Sequence, residues 1–207
     1  MLSHEFRNPL AAISRSAQML LSHPDFDPER RLTGIRSSAD KLYSLVDRLL
    51  AVESFEFRRD MLKRQPTVVG ALIQRCINDS QEPARIRFQQ VTPNMLVSAD
   101  EQLLSLAIGN LLDNALKFSP PDMLVAVRLA SVDGQGCVII TDQGCGIEPA
   151  DLEQLGTPYY RAELSRQVPG LGLGFLLARR IIESHGGTLS VESTPGQGTT
   201  VTVTLQE

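Results

Sequence analysis

Two long stripes of apolar residues at the start of the chain restrict what it can fold into. Between residues 2 and 22, apolar side chains recur every three or four positions, which predicts an amphipathic helix. Near-heptad spacing predicts a second helix over residues 29–56, after the loop SHPDFDPE at 22–29. Two such helices form an antiparallel hairpin, and a hairpin alone buries too little apolar surface. We therefore expect residues 1–58 to pair with a second copy in a four-helix bundle.

After about residue 60, strand and helix patterns alternate. A short strand precedes a helix predicted over 67–80, and further helices are predicted from the N-cap Asp100 to about Lys117 and from Leu173 to Ser184. The segments that predict strands are ARIRFQQV, NMLVSA, DMLVAVRLAS, GCVIITD, TLSVEST and GTTVTVTLQ. This mixture predicts an α/β sandwich of ordinary domain size over residues 61–207.

Composition excludes several classes of protein. A net charge of −4 without a run of Lys and Arg argues against nucleic-acid binding. Cys76, Cys137 and Cys145 lack metal-ligand spacing, as expected of reduced cysteines in a cytoplasmic protein. No apolar run approaches the roughly 18 residues that span a bilayer. Because the apolar periodicity already runs at Leu2 with no N-cap, we expect the chain to be the C-terminal part of a longer protein.

The segment NLLDNALKFS carries the first polar cluster. Asn110 and Asn114 are four residues apart on one helix face, and Lys117 lies a turn further on. Amide oxygens suit Mg²⁺, and a lysine suits a phosphate. Taken alone, the same pattern describes a polar helix edge facing solvent.

The segment DQGCGI follows an apolar strand. Asp142 with Gly144 and Gly146 predicts a tight turn that holds a carboxylate at a strand end. Such a carboxylate, at the base of a pocket, accepts a hydrogen bond from an exocyclic amine such as that of adenine. A plain turn after a strand is the structural alternative.

The segment PGLGLG opens a helix. Gly170, Gly172 and Gly174 allow close approach of a ligand, and the helix N-terminus offers free N–H groups to phosphates. The segment lacks the lysine and hydroxyl of a P-loop and the ribose-binding acid of a dinucleotide site.

The order of these clusters resembles the N, G1 and G2 boxes of the GHKL (Bergerat-type) ATP-binding fold, and SHEFRNPL at 3–10 resembles the H box of a sensor histidine kinase. The resemblance covers nearly the whole chain. It implies an α+β protein: a helical-hairpin dimerisation and phosphotransfer domain at 1–58, then a GHKL α/β-sandwich ATP-binding domain at 61–207.

The resemblance implies an ATP-dependent protein histidine kinase. His4 is then the phosphoacceptor, and Glu5 is the general base. The phosphoryl group passes to an aspartate on the receiver domain of a response regulator, acting in trans. Asn8 matches the position that helps water attack the phosphorylated regulator, which implies phosphatase activity as well.

ATP and Mg²⁺ are the implied cofactors. Asn110 and Asn114 resemble the magnesium-linked asparagines, and Asp142 the adenine-binding aspartate. The implied nucleotide-binding residues are Asn110, Asn114, Lys117, Asp142, Gly144, Gly146, Tyr159, Arg161, Gly170, Leu171, Gly172, Leu173 and Gly174. The chain departs from the family pattern twice: Gly156 stands where a phenylalanine is usual in the ATP lid, and Leu171 where a small hydroxyl residue is common.

Four other polar residues are interpreted as structural. His185 lies in the last turn of a helix, where a cation suits the dipole, and Asp100 is a cap. His23 is expected to be solvated, and Cys145 to pack beneath the nucleotide.

Two alternatives remain. Gyrase-type or mismatch-repair ATPases and anti-sigma serine kinases share the ATP fold, but they need no His-Glu hairpin, and the ATPases typically place a glutamate at the position of Asn110. A non-catalytic scaffold that dimerises through the hairpin is the other. We expect a cytoplasmic homodimer, with membrane attachment only through an upstream region.

Overall fold

The computed structural model of the protein describes residues 2–23, 26–40, 42, 62–132, 134–158, 160, 168 and 172–206, with side chains from residue 6 onward. The chain divides into two compact units. One lies within Met1–Ser54, and the other contains Phe55–Val168 and Gly172–Glu207. No helix in the described ranges has both the length and the apolarity to cross a membrane.

The first unit contains helix α1, Leu2–Ser22, and helix α2, described over residues 28–40. Arg31 of α2 donates a hydrogen bond to Met19 Sδ of α1 over 2.8 Å. Three residues later, a Cβ added at Gly34 would lie 3.9 Å from Ser16 Oγ. The contacting residues advance along the sequence in α2 and go back along it in α1, so the two helices are antiparallel, as predicted. The predicted continuation of the second helix to residue 56 lies outside the described residues.

The second unit is built on a five-stranded sheet of order β2-β4-β5-β7-β6, in which only β2 and β4 are parallel. Strands β1 and β3 form a separate antiparallel pair. The elements are β1 Gln65–Val68, α3 Val69–Asn78, a 3-10 turn Pro83–Arg85, β2 Ile86–Gln90, β3 Leu96–Ala99, α4 Glu101–Phe118, β4 Val125–Val132, β5 Gln135–Thr141, α5 Pro149–Leu152, α6 Gly174–Ser184, β6 Thr188–Thr194 and β7 Gly198–Gln206.

One face of the sheet is buried beneath α3, α4 and α6. Val125, Val127 and Leu129 of β4 are at most 1% exposed, whereas Ala126 and Arg128 between them are exposed. This period of two is what an antiparallel-rich sheet with one covered face requires. Residues of α4 and α6 complete the core: Leu104, Ile108, Leu112, Leu177 and Ile181 have no exposed surface.

The boundary between β1 and α3 differs from the prediction. The sequence predicts a helix from residue 67, but Thr67 and Val68 belong to β1, where they pair with Val97 and Leu96 of β3. Pairing with a strand about 30 residues away therefore overrides local helical periodicity. Asp100 does cap α4, because its Oδ1 accepts a hydrogen bond from the Leu103 N–H over 3.2 Å.

His185 is buried at the end of α6 and is structural, as predicted, but it acts through hydrogen bonds and not through a charge on the helix dipole. Its Nε2 accepts a hydrogen bond from the Asp100 N–H over 2.9 Å. Its Nδ1 lies 2.7 Å from the Ile181 carbonyl oxygen, to which only a protonated nitrogen can donate. The two bonds together require the neutral Nδ1–H imidazole, so the ring links two helices and does not neutralise a dipole.

Candidate functional site

Helix α4 carries the first predicted cluster. Asn110 is 5% exposed, and its Nδ2 donates a hydrogen bond to the Leu106 carbonyl oxygen over 2.8 Å. This bond within the helix fixes the amide and leaves Oδ1 as an acceptor. Asn114, one turn later, is half-buried. Lys117 is also half-buried, and its Nζ lies 5.0 Å from the centre of the Phe118 ring.

Asp142 directly follows β5 and is 8% exposed. Its Oδ1 accepts hydrogen bonds from the Gly144 N–H over 2.8 Å and from the Thr199 N–H over 3.3 Å. Burial raises the pKa of the Asp142 carboxyl above its ordinary value, and the hydrogen bonds from Gly144 and Thr199 lower it. Within the described part of the chain, both side-chain hydrogen bonds of Asp142 involve Oδ1, so Oδ2 is the oxygen left for a ligand.

The two glycines after Asp142 are required by their surroundings. A Cβ at Gly144 would collide with the carbonyl oxygen of Phe118 at the end of α4. Gly146 has a φ of +67°, and a Cβ there would collide with the carbonyl oxygen of Thr194. The turn is therefore held between the end of α4 and the end of β6, with no room for side chains at these positions.

The glycine-rich start of α6 packs against the asparagine helix. A Cβ at Gly174 would lie 2.9 Å from Asn110 Oδ1, so the amide oxygen faces the first residue of α6. Gly172 has a φ of +71°. Leu173 is 1% exposed, so its side chain belongs to the core and only its backbone can face a ligand. Gly170 and Leu171 lie outside the described residues.

The three predicted clusters thus meet at α4, which carries the first of them: the Asp142 turn lies at the end of α4, and the start of α6 lies beside Asn110. Tyr159 and Arg161 lie outside the described residues. Their neighbour Tyr160 is half-buried, and its hydroxyl donates to Asp151 Oδ1. The unusual Gly156 has a φ of +87°, and the Arg179 guanidinium packs where a Cβ would lie.

The predicted phosphoacceptor segment lies in the first unit. His4 and Glu5 are in the first turns of α1, where the structure describes the backbone only. Asn8 is exposed on the same helix, one turn after His4. His23 is exposed beyond the end of α1, as expected.

Sequence reasoning missed the contribution of the β6–β7 turn. The Asp142 N–H donates to the Thr199 carbonyl oxygen over 2.9 Å, so Asp142 and Thr199 bond in both directions. The Ser193 hydroxyl donates to the Gly198 carbonyl oxygen beyond this turn and accepts a hydrogen bond from the Ile147 N–H. The pattern of the segment STPGQGTT predicts only a hairpin. Its second glycine is the available signal: Gly198 has a φ of +107°, and a Cβ there would collide with the Asp142 carbonyl oxygen.

Cys145 is exposed in the middle of the Asp142 turn. Its backbone is held, because its carbonyl oxygen accepts a hydrogen bond from the Gly196 N–H over 2.8 Å. The described residues contain no group of three or more His, Cys, Asp or Glu side chains suited to a metal ion. Amide oxygens such as Asn110 Oδ1 suit a hard cation such as Mg²⁺, which completes its shell with water or ligand oxygens.

The arrangement can do two things chemically. A buried carboxylate with a fixed orientation accepts a hydrogen bond from an amine, and an open helix N-terminus beside an amide oxygen suits phosphates and a hard cation. The Asp142 turn and the N-terminus of α6 both lie against α4. A nucleotide with an amine-bearing base needs both groups within one site.

Two family models match the chain. The family described as histidine kinase-, DNA gyrase B-, and HSP90-like ATPase matches residues 99–207. The His Kinase A (phospho-acceptor) domain matches residues 1–57.

Relatives agree with these matches. Histidine protein kinase DivJ of Caulobacter vibrioides is 34% identical over 216 residues, which cover 99% of this chain and 36% of DivJ. Signal transduction histidine-protein kinase/phosphatase MprB of Mycolicibacterium smegmatis is 31% identical over 206 residues, 93% of this chain and 41% of MprB. The chain therefore spans under half the length of these curated relatives. The structure of Acinetobacter baumannii histidine kinase AdeS shares the fold, with a TM-score of 0.75 at 19% identity over 98% of this chain and 97% of AdeS.

Proposed function

Because the chain belongs to the histidine kinase-, DNA gyrase B-, and HSP90-like ATPase family, we propose that it is the catalytic core of an ATP-dependent protein histidine kinase. Residues 61–207 form the ATP-binding domain, and residues 1–58 form the dimerisation and phosphotransfer hairpin. The observation that carries this proposal is the meeting of the Asp142 turn and the start of α6 around α4, in a chain whose first 57 residues match the phospho-acceptor domain.

The nucleotide is held at both ends. Asp142 accepts a hydrogen bond from the exocyclic amine of adenine, in a pocket shaped by Gly144 and Gly146. Gly172 and Gly174 bring the backbone of the α6 N-terminus to the phosphates, with Leu173 contributing its backbone. Lys117 neutralises phosphate charge. Tyr159, Arg161, Gly170 and Leu171 belong to the lid and the phosphate loop.

Asn110 and Asn114 hold Mg²⁺. The geometry of Asn110 fits this role, because its Nδ2 is bound to the Leu106 carbonyl oxygen and its Oδ1 faces Gly174. When bound, the ion would neutralise charge on the phosphate oxygens. The residues of this chain place the γ-phosphorus and exclude water, which is most of the catalysis that phosphoryl transfer needs.

His4 receives the phosphoryl group. One ring nitrogen of the neutral imidazole attacks the γ-phosphorus, and the bond to the bridging oxygen breaks, with its electron pair leaving on ADP. Glu5 accepts the proton from the other ring nitrogen. The phosphorylated His4 then passes the group to an aspartate on a response regulator receiver domain in trans.

Phosphatase activity towards that regulator is a second activity of the same helix. Asn8 is exposed one turn after His4, where its amide can orient a water molecule. The name of MprB includes a phosphatase, and MprB is similar over most of this chain. The working form is a homodimer through the hairpin, located in the cytoplasm.

The proposal is tested by incubating the chain with Mg²⁺ and γ-labelled ATP. Label should appear on the wild type, resist alkali and be lost in acid, as phosphohistidine is. His4→Gln should remove the label while ADP still binds. His23→Gln is the matched control and should label normally, because His23 is exposed beyond α1. Label that persists in His4→Gln, or nucleotide binding without any transfer, would contradict the assignment.

A further inference from the structure

Ser193, near the end of β6, bonds to both sides of the turn that holds Asp142. Its Oγ accepts a hydrogen bond from the Ile147 N–H over 2.9 Å and donates to the Gly198 carbonyl oxygen over 2.8 Å. The same oxygen lies 2.9 Å from Thr199 Oγ1. One hydroxyl therefore joins the loop after β5, the turn after β6 and the start of β7.

The number of hydroxyl hydrogens decides which atom donates in each of these hydrogen bonds. A serine hydroxyl has one hydrogen, and Ser193 uses it on the Gly198 carbonyl, since a carbonyl cannot donate. Thr199 must therefore donate to Ser193 rather than accept from it. With one hydrogen donated and two accepted, the Ser193 hydroxyl is fully used inside the protein. It serves the shape of the loop and has no capacity left for a ligand.

The two turns that Ser193 joins are in backbone contact. The Gly196 N–H donates to the Cys145 carbonyl oxygen over 2.8 Å. Cβ atoms at Gly146 and Gly198 would collide with the backbone of Thr194 and Asp142 respectively. The position of Asp142 therefore depends on how the β6–β7 turn packs against the loop after β5. The Ser193 side chain bonds to Ile147, after the Asp142 turn, and to Gly198, after the β6–β7 turn.

We propose that Ser193 is a positioning residue for recognition of the nucleobase. It acts through Ile147 and Thr199, which hold the two ends of the Asp142 turn, and so keeps Asp142 Oδ2 where an exocyclic amine can donate to it. This role rests on the proposed ATP-binding function. Without the hydroxyl, the Ile147 N–H and the Gly198 carbonyl lose a partner, and the turn keeps its backbone contacts and the bonds that Asp142 Oδ1 accepts.

A matched control lies one residue along the sheet. Thr141 and Thr200 are cross-strand partners whose hydroxyl oxygens are 3.2 Å apart. This pair also joins β5 to β7, but it lies before the turn and does not bond to Ile147. Thr200→Val removes its hydroxyl bond and keeps a β-branched shape. A general loosening of the sheet would affect this variant and Ser193→Ala alike.

The first experiment needs no nucleotide. Amide hydrogen exchange of the free chain should show faster exchange at Ile147 in Ser193→Ala by about tenfold, the effect of losing one such hydrogen bond. Thr200→Val should leave the exchange rate at Ile147 unchanged. Ser193→Thr keeps the hydroxyl and should keep the protection of the Ile147 N–H. Unchanged exchange in Ser193→Ala would overturn the inference and leave the proposed function untouched. If Ser193→Ala fails to fold, Ser193→Cys, with a similar volume and weaker hydrogen bonding, serves in its place.

The second experiment measures base discrimination. The wild type should bind ADP more tightly than IDP, because IDP lacks the amine that Asp142 accepts from. In Ser193→Ala this preference should fall by about tenfold, through weaker ADP binding, while IDP binding stays nearly constant. Ser193→Thr and Thr200→Val should keep the preference. An equal loss for ADP and IDP would assign Ser193 a merely structural role. Wild-type protein that binds neither nucleotide would overturn the proposed function together with the inference.

Discussion

The backbone N–H of Asp100 donates to His185 Nε2 over 2.9 Å, which ties the first turn of α4 to the last turn of α6. A second bond supports the same corner, because Arg64 donates to the Ser184 carbonyl oxygen over 2.8 Å. The two helices that border the proposed nucleotide site are thus joined at the end away from Gly174. The length of α6 separates this corner from the site, about 16 Å for 11 residues.

Replacing His185 with leucine should destabilise the fold without affecting nucleotide binding. The Asp100 N–H would lose its acceptor in a partly buried place, which costs about 1–3 kcal/mol of unfolding free energy. His185→Gln should lose less, since an amide offers both a donor and an acceptor. Urea unfolding measures the first effect, and ADP titration the second. A large rise in the ADP dissociation constant of folded His185→Leu would assign this corner a direct role at the site.

Replacing Asp142 with asparagine should separate stability from binding. Burial raises the pKa of Asp142 in the folded chain, so the folded state holds the proton more tightly than the unfolded state. The stability from this protonation is complete below the unfolded pKa and is lost as pH rises through the folded pKa. The amide of an asparagine side chain does not ionise in this range. Relative to the wild type, Asp142→Asn should therefore gain stability over that rise in pH, while ADP binds roughly tenfold to a hundredfold more weakly.

Urea unfolding from acid to neutral pH, with ADP titration at neutral pH, checks both parts of the Asp142 prediction. Asp122→Asn is the control, because Asp122 is exposed in the turn after α4. It should change neither quantity. Equal ADP affinity in the wild type and Asp142→Asn would remove Asp142 from the base-binding role.

Restoring a side chain at Gly156 should destabilise the ATP-binding unit. Gly156 has a φ of +87°, and Arg179 Nη1 lies 2.7 Å from the position of a Cβ, with the guanidinium 5.1 Å from the centre of the Phe175 ring. Gly156→Ala should lose about 1–2 kcal/mol from the backbone conformation alone, and more from displacing Arg179. Gly134→Ala is matched, with a φ of +75° and open space around it. Equal losses in urea unfolding would show that Arg179 contributes nothing.

Cys145 should be the first of the three cysteines to react with a maleimide. Cys76 and Cys137 are buried, and burial raises the pKa of the Cys76 thiol, against a hydrogen bond to Ser105 that lowers it. Cys145 is exposed between Gly144 and Gly146, so bound ADP should slow its labelling. Mass spectrometry of the labelled peptides, with Cys145→Ser as the control, measures both effects. Labelling of Cys145 at the same rate with saturating ADP would place the nucleotide away from this turn.

Most helices and strands could be predicted from the local sequence, because their apolar residues recur at helical or strand spacing. Leu2–Ser22, Glu101–Phe118 and Gly174–Ser184 have apolar stripes, and the Asp100 cap marks the start of α4. The bonds between Asp142 and Thr199 could not be predicted in this way, because they depend on β7 pairing with β5, about 60 residues earlier. The bond between Ser193 and Ile147 also joins residues that are 46 positions apart. The contact between Gly156 and Arg179 likewise joins a turn to a distant helix. The tautomer of His185 follows from two partners, one of which is 85 residues away.

The position of β7 has a consequence for how the protein is made. It follows every other strand in the chain, yet it lies between β5 and β6 and supplies both backbone bonds from Thr199 to Asp142. During synthesis, the helix that carries the proposed phosphoacceptor leaves the ribosome while Asp142 still lacks its bonds to Thr199. The proposed nucleotide site can form only after residues 198–206 have left the exit tunnel and inserted into the sheet. We therefore expect a product that ends within this strand to contain His4 but to lack the nucleotide site proposed to phosphorylate it.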